Sequence, residues 1–308
     1  MIFSLVSGAV YFLVQKAGLF SDMPHSALKI LYSWPILIDS LLVLFIALWS
    51  VIVSRGSYRT YQWVGMISLA LIVLGLWTGS LTRFSGEVIL TEGQDFYSFN
   101  SNYLPGSFYK GKYADAPHIG LKMKEILPSF SEDVMNLKGI RAVVEMYQRD
   151  GKDPVERTLT DSITGYVKGS MLRVRDLGYS PRYVLSTGSG KQVDSSFIYM
   201  KLFPPGSEGY FRLLSPLTYY VRYFPDNPDA PIKLRIVRNK DIIFNGALGL
   251  SEKAEFENSS VAFEEVRKWT KLVIIKDRGL FMAAFGLCLL GFCLLISIIQ
   301  SMKSKGEI

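Results

Sequence analysis

The pattern of hydrophobic and polar positions divides the chain into uncharged apolar runs near both ends and a long, more polar centre. The clearest run extends from Gly279 to Ser301 and contains no charged residue. As a helix it would cover about 34 Å, which exceeds the ~30 Å hydrocarbon core of a bilayer. Similar runs occupy residues 1–20, 32–54 and 63–82. The pattern therefore predicts an integral membrane α-helical protein with four transmembrane helices.

The first apolar run, residues 1–20, could be either a membrane helix or a secretory signal peptide. A signal peptide carries basic residues ahead of its apolar stretch and small residues at a cleavage site, and the run "MIFSLVSGAVYFLVQKAGLF" shows neither. Its single charge, Lys16, has a stem long enough to reach the interface. We predict a membrane helix that begins almost at Met1, and the natural start is expected there or upstream.

Residues 83–278 have the hydrophobic alternation of a β-rich domain. In "IKLRIV" the apolar residues Ile232, Leu234 and Ile236 alternate with basic ones, as in a half-buried strand. A strand followed by a turn is predicted for "FSGEVILTEGQDF", and a hairpin around Asp150-Gly151 for "IRAVVEMYQRDGKDPVERTLT". The large segment is long enough to bury a core of its own. We predict a β-sandwich or an open barrel-like domain.

Two further strand pairs are predicted in this domain. One surrounds Pro204-Pro205-Gly206 in "SFIYMKLFPPGSEGYFRL", and the other surrounds Asn239-Lys240 in "IKLRIVRNKDIIFNGALGL". Helix is predicted outside the apolar runs only for "SALKIL", ahead of the second run, and for "IGLKMKEILP".

The basic residues next to the apolar runs predict the orientation. Arg55 and Arg59 lie in the short connection between the second and third runs, and Lys303 and Lys305 follow the fourth. The positive-inside rule places both segments in the cytoplasm. Both termini, including the tail 302–308, are then cytoplasmic, and residues 83–278 lie outside the cytoplasmic (inner) membrane.

The net charge of +7 does not indicate a nucleic-acid partner. Acidic and basic residues are nearly balanced between Phe84 and Asp277, so most of the excess lies beside the apolar runs. Anionic lipid headgroups favour positive charge at that position. The lipid bilayer is therefore the predicted partner of this charge.

The two cysteines, Cys288 and Cys293, raise the question of redox or metal chemistry. They are five residues apart in one predicted helix, which turns them about 140° away from each other and prevents an intrahelical disulfide. The sequence has no C-x-x-C pair, nucleophile elbow, zinc-protease motif or phosphate loop. We predict packing thiols, no metal site, no catalytic site and no enzymatic activity.

Two polar residues near the predicted membrane have a structural and a functional interpretation. Asp39 lies about two turns into the second run, where it either bonds a neighbouring helix or partners a cation or an imidazole from another subunit. His25 lies just ahead of that run, near Tyr32 and Trp34. It is either a locally bonded histidine or an axial haem ligand, with Trp34 packing on the porphyrin. The other histidine, His118, is predicted to lie in the β-rich domain.

Three segments at the borders of the predicted helices are distinctive: "LYSWPILIDSLLVLFIALWSV" in the second helix, "GLWTGSLTRFSGEVILTEGQDF" at the exit from the third, and "EEVRKWTKLVIIKDRGLFMAAFGLCLLGF" at the return into the membrane. In these segments and in the order of its parts, the chain resembles the ResB family of cytochrome c biogenesis proteins. The resemblance covers most of the chain by layout and is residue-specific only in these segments.

The resemblance implies a membrane subunit of a cytochrome c maturation complex. Such a subunit works with a tryptophan-rich ResC/CcsA-type membrane protein, and together they deliver haem across the membrane and attach it to apocytochrome c outside. Family members that help ligate haem use a membrane histidine, whereas the predicted helices here contain none and Tyr32 precedes the Ser-Trp-Pro of the second run. Two alternatives follow: haem is shared between this chain and the partner, or the chain is a scaffold and the partner supplies every ligand. The alternative is a non-catalytic anchoring or scaffold subunit of a respiratory or electron-transfer membrane complex.

Overall fold

The computed structural model describes residues 34–53, 60–107, 109–130, 137–147, 153–162, 165–167, 169–213 and 216–305. Three α-helices and fifteen β-strands occur in this part of the chain, with a short 3-10 turn at Asn100–Asn102. The helices are α1 (Trp34–Val53), α2 (Thr60–Thr82) and α3 (Leu280–Lys305). The strands are β1 (Phe84–Thr91), β2 (Asp95–Tyr97), β3 (Tyr109–Lys110), β4 (Gly120–Phe130), β5 (Leu137–Met146), β6 (Val155–Thr160), β7 (Gly165–Val167), β8 (Ser170–Thr187), β9 (Gln192–Phe197), β10 (Glu208–Arg212), β11 (Leu217–Tyr223), β12 (Ile232–Arg238), β13 (Asp241–Leu248), β14 (Lys253–Phe256) and β15 (Ser259–Lys276).

The prediction of four transmembrane helices is wrong. Among the described residues, two helices are long and apolar enough to cross a bilayer, Gln62–Thr82 and Leu280–Ile299. In α1 the apolar part is described over Pro35–Trp49, which is shorter than either of these two helices. The predicted helix at 1–20, with its Lys16, and the "SALKIL" segment lie outside the described residues.

The predicted β-rich domain is confirmed, with strands extending from Phe84 to Lys276. The largest sheet of the domain has seven strands. Five of them follow the order β3-β1-β15-β8-β7, while β14 also pairs with β15 and β9 also pairs with β8. The 18-residue strands β8 and β15 pair antiparallel along nearly their whole length. Two four-stranded sheets complete the domain, one in the order β2-β4-β5-β6 and the other in the order β10-β11-β12-β13.

Each four-stranded sheet packs on a different part of the long strands, and this produces two hydrophobic cores. The proximal core, next to the helices, joins β1 and the adjoining ends of β8 and β15 to the sheet of β2, β4, β5 and β6. The distal core joins the opposite ends of β8 and β15 to the sheet of β10 to β13. Trp269 lies between the cores, opposite Gly178, and its indole N–H donates to the Met200 carbonyl at 2.8 Å.

The alternation predicted for β12 is confirmed, because Ile232, Leu234 and Ile236 are fully buried in the distal core. β12 pairs with β13 through the predicted turn, where Asn239 adopts the left-handed conformation at φ 58°. β5 and β6 pair as the predicted hairpin, although its Asp150-Gly151 turn lies outside the described residues.

Two predictions within the domain are wrong. The segment "IGLKMKEILP" is not helical but belongs to strand β4, which pairs with β2 and β5. The strands on either side of Pro204-Pro205-Gly206 do not pair with each other. β9 adds to the seven-stranded sheet through β8, while β10 pairs with β11 in the distal sheet. The intervening residues therefore connect two sheets rather than two strands of a hairpin.

Candidate functional site

Among the described residues, we consider two places where charged and polar side chains lie together. The first is the point where the helices meet the strands. α2 ends at Thr82 and β1 begins at Phe84, while β15 ends at Lys276 and α3 begins at Leu280. Phe84 and Lys276 are paired across the sheet. The two paired strands thus continue into two helices that pack against each other. We call this region, from Gly79 to Phe84 and from Lys276 to Leu280, the junction.

A buried ion pair lies at the centre of the junction. Arg83 Nη1 donates to Asp277 Oδ2 at 2.8 Å, and both side chains are 1% exposed. The other carboxylate oxygen, Oδ1, accepts from the backbone N–H groups of Gly279 (2.9 Å) and Leu280 (3.0 Å). Asp277 therefore caps α3 and neutralises Arg83 with the same carboxylate. Removing either partner of such a pair leaves an uncompensated buried charge.

Small residues allow α2 and α3 to approach closely beside the ion pair. A Cβ atom added to Gly279 would lie 2.0 Å from the Gly75 carbonyl oxygen, and one added to Gly75 would lie 2.5 Å from the Ala283 nitrogen. Gly286 is equally confined, with the Ser68 carbonyl oxygen 2.7 Å from its hypothetical Cβ. Such small-residue contacts are typical of helices that associate within a bilayer. Close packing therefore holds α2 against α3, in addition to the ion pair.

A loop of the β-rich domain is fixed to the end of α2. Gly111 N–H donates to the Arg83 carbonyl at 2.9 Å, and Tyr113 N–H donates to the Leu81 carbonyl at 2.8 Å. The Tyr109 hydroxyl donates to the Ser80 carbonyl at 3.3 Å. Burial raises the pKa of Tyr109 above its ordinary value, and the neighbouring Arg83 acts in the opposite direction. Tyr109 thus remains a neutral donor at physiological pH.

A third hydrophobic cluster links the seven-stranded sheet to α3. Met171, Val273 and Ile275 are on the sheet face opposite the proximal core and pack with Leu280 and Ala284. The paired strands, the ion pair, the loop and this cluster all oppose bending at the junction. The β-rich domain is therefore rigidly coupled to α2 and α3.

The second polar place is the outer face of the distal sheet. The inner side of β10, β11 and β12 is buried in the distal core, so their alternate residues point outward. These outward residues, with one from β13, form what we call the basic face, which comprises Glu208, Tyr210, Arg212, Thr218, Tyr220, Arg222, Lys233, Arg235 and Asn245.

A pocket of about 160 Å³ lies within the basic face. Its lining residues are Glu208, Tyr220, Arg222, Lys233, Arg235 and Asn245. Glu208 accepts from Arg222 at 3.2 Å with one oxygen and from Arg235 at 2.9 Å with the other. One carboxylate therefore orients two guanidinium groups at the edge of the same depression. This arrangement can bind an anion, because guanidinium donors match carboxylate and phosphate oxygens.

Asp39, the predicted site residue whose side chain the structure describes, does not belong to either place. His25 lies outside the described residues. Trp34 is the first residue of α1, but its side chain is not among those described, and Asp39 is exposed on the same helix. His118 is exposed in the loop before β4, so its predicted location in the β-rich domain is correct.

The two cysteines are free, and neither is joined to the other. Cys293 is buried, and Cys288 packs against the cluster that links the sheet to α3. The positions fit the predicted packing thiols. Within the described ranges, no group of three or more His, Cys, Asp or Glu residues is placed to hold a metal ion.

The functional residues that sequence reasoning missed are Arg83, Asp277 and the basic face. Arg83 and Asp277 were visible as opposite charges immediately beside two apolar runs, but nothing in the local sequence showed that they meet.

Comparison with protein-family models and with curated proteins found no match for this chain.

Proposed function

We propose that this chain is a non-catalytic membrane subunit of a cytochrome c maturation complex, in which it holds a rigid β-rich platform outside the cytoplasmic membrane. The observation that carries the proposal is the junction. Two of the segments that resemble the ResB family, around Arg83 and around Asp277, are the ones that supply the ion pair and the closely packed glycines. The resemblance therefore involves the residues on which the architecture of the chain depends.

The exposed surfaces of the helices support a location in the membrane. α1, α2 and α3 expose many large apolar side chains, among them Phe45, Ile67 and Leu295. Lysine and tyrosine cluster at the junction end, where Lys112 lies over the Tyr113 ring at 5.5 Å and the Tyr166 ring meets Phe281 edge-on at 5.8 Å. Aromatic and basic side chains favour the headgroup region of a bilayer. We place this end of α2 and α3 at the outer membrane interface.

The topology predicts where reporters will be active. A reporter fused at Asp226, between β11 and β12, should read as extracytoplasmic, and reporters at Ser57 or after Ile308 should read as cytoplasmic. The basic residues Arg55, Arg59, Lys303 and Lys305 favour this orientation. Paired alkaline phosphatase and green fluorescent protein fusions would measure it. A periplasmic signal at Ser57 would contradict the proposal.

The rigid junction would give the platform a defined position relative to a membrane partner. The proposed partners are a ResC/CcsA-type tryptophan-rich membrane protein and apocytochrome c. Haem ligation would rest mainly on the partner, because the chain has only two histidines. Among the described residues, His118 is exposed in the loop before β4. In this proposal, the described residues therefore position the β-rich domain relative to the membrane partner.

Deletion of the gene in the native host tests this function directly. We expect c-type cytochromes with covalently attached haem to be lost from membrane fractions, and a plasmid copy to restore them. The purified chain should bring along a tryptophan-rich haem protein. Normal cytochrome c levels, together with co-purified oxidoreductase subunits, would instead support an anchoring subunit of an electron-transfer complex.

His25 tests whether the chain itself contributes a haem ligand. Purified alone, the chain should bind haem weakly, because cytochrome-type haem usually takes two axial ligands. In the purified complex, His25→Ala should shift or abolish the haem absorption spectrum if His25 is a ligand, and added imidazole should partly restore it. His118→Ala is the matched control and should leave the spectrum unchanged. An unchanged spectrum in both variants would assign all ligands to the partner.

A further inference from the structure

We propose that the basic face binds an acidic polypeptide segment of a partner protein, with carboxylates entering the pocket between Arg222, Lys233 and Arg235. This inference goes beyond the proposed function, because it identifies a docking surface and the chemistry of its occupant without depending on haem or cytochrome. It rests on the charge, the geometry and the location of the distal sheet.

The charge of the basic face is unbalanced. It carries the four cations Arg212, Arg222, Lys233 and Arg235 but a single acid, Glu208. Within the described residues Glu208 is shared by two arginines, whereas Lys233 forms no ion pair there. Lys233 is exposed and paired in register with Arg222 on the adjacent strand. An incoming carboxylate would compensate this excess positive charge.

The guanidinium groups are oriented before any ligand arrives. Each guanidinium has five N–H donors, and the bonds to Glu208 occupy only some of them. The Arg235 guanidinium also lies 4.5 Å from the centre of the Tyr220 ring, which restricts its plane. Binding therefore requires little additional ordering of these side chains, and ordering costs are a major loss in association.

The aromatic residues suit a polypeptide rather than a lone ion. Tyr210 is 65% exposed, and its ring centre is 6.0 Å from that of Tyr220. Tyrosine and arginine are the residue types enriched where protein interfaces gain most of their energy. The cations are spread over three adjacent strands, and neighbouring strands are about 4.8 Å apart. This spacing suits several carboxylates on one chain.

The position of the basic face argues against lipid headgroups as its ligand. The distal core reaches β15 no closer to the junction than Val266, ten residues before Lys276. At about 3.3 Å per residue, this part of the strand lies roughly 30 Å from the end of the helices. With the long strands directed away from a membrane that contains α2 and α3, the basic face lies beyond the lipid headgroups. A partner that extends from the membrane surface, or a soluble one, would reach it.

The test uses the full chain in nanodiscs of zwitterionic lipid. The probe is a fluorescent peptide of alternating glutamate and glycine, compared with the same peptide carrying glutamine. We expect saturable binding of the glutamate peptide that weakens as salt is raised. Lys233→Glu should weaken it roughly fivefold or more, since the reversal removes an attraction and adds a repulsion. Lys253→Glu, the same charge change at an exposed position of strand β14, should change it less than about twofold.

Several outcomes would overturn the proposal. An equal loss of affinity in Lys233→Glu and Lys253→Glu would show that the peptide binds through the overall charge of the domain and not at the basic face. Equal binding of the glutamine peptide would show that the carboxylates are not recognised. Displacement of the peptide by millimolar inorganic phosphate, but not by chloride of equal ionic strength, would make the pocket a phosphate site. Preference for phosphatidylglycerol vesicles over the peptide would make the face a lipid-binding surface. Thermal unfolding of Lys233→Glu should match that of wild type, so that weaker binding cannot be ascribed to misfolding.

Discussion

Replacing Asp277 with alanine should destabilise the chain by about 3–5 kcal/mol, the cost of breaking a buried ion pair from one side. The change leaves Arg83 charged and 1% exposed, without its carboxylate partner. It also removes the acceptor for two backbone N–H groups at the start of α3. Thermal unfolding in nanodiscs, followed by circular dichroism, would measure the loss, and the mature protein should become sensitive to protease between β15 and α3.

Two further variants separate the charge from the cap. Asp277→Asn retains a carbonyl oxygen for the Gly279 and Leu280 N–H groups, so it isolates the loss of the ion pair. Adding Arg83→Met to Asp277→Asn should recover part of the stability, because no unpaired buried cation remains.

The control for this prediction is an exposed ion pair on the same domain. Arg182 and Glu264 are 3.3 Å apart, with side chains 42% and 45% exposed. Glu264→Ala should change the free energy of unfolding by at most about 1 kcal/mol, because water already screens such a pair. Equal destabilisation by Asp277→Ala and Glu264→Ala would mean that the junction is hydrated and that Arg83 does not depend on Asp277.

Strand β12 shows why much of the domain could be predicted. Its inward residues Ile232, Leu234 and Ile236 are strictly alternating, and its turn sequence tolerates the left-handed conformation at Asn239. Both signals are local, so they can be read without knowing the neighbouring strands. The same is true of β5 and β6, whose pairing follows from two apolar runs around one turn signal.

Strand β4 shows where local reading fails. Leu121, Met123 and Ile126 are its fully buried residues, and their spacing is no longer strictly alternating. The reason is a register shift between Met123 and Glu125, which moves the inward face by one residue. In the sequence, this bulge makes the pattern resemble that of a short helix. The partner strands β2 and β5 decide the conformation, and their identity is tertiary information.

The candidate site was hidden for the same reason. Arg83 and Asp277 are 194 residues apart in the chain, and only the pairing of β1 with β15 brings them together. The basic face likewise depends on the order of β10, β11 and β12 in one sheet. Its cations are ordinary outward residues of separate strands until the sheet aligns them.

Replacing Gly279 with alanine should separate α2 from α3 near the junction. The new Cβ would lie 2.0 Å from the Gly75 carbonyl oxygen and 2.4 Å from the Gly79 nitrogen, both of which are backbone atoms that cannot rotate away. We expect a loss of about 3 kcal/mol, at the upper end of the costs of overpacking, because the helices must move. Thermal unfolding in nanodiscs would measure it, and a pair of spin labels on α2 and α3 would report the increased separation.

The matched controls are glycines of the same two helices with open surroundings. Gly291 on α3 and Gly65 on α2 have no heavy atom within 4 Å of an added Cβ. Alanine at either position should leave the spin-label distance unchanged, and it should raise stability slightly, by up to about 0.5–1 kcal/mol, because alanine favours helix over glycine. Gly75→Ala, on the opposite side of the same contact, should reproduce the loss seen for Gly279→Ala. If Gly279→Ala unfolded at the same temperature as Gly291→Ala, close contact of α2 and α3 would not hold the junction. The ion pair between Arg83 and Asp277, the paired strands, the Tyr109 loop and the cluster beside α3 would then have to supply the rigidity.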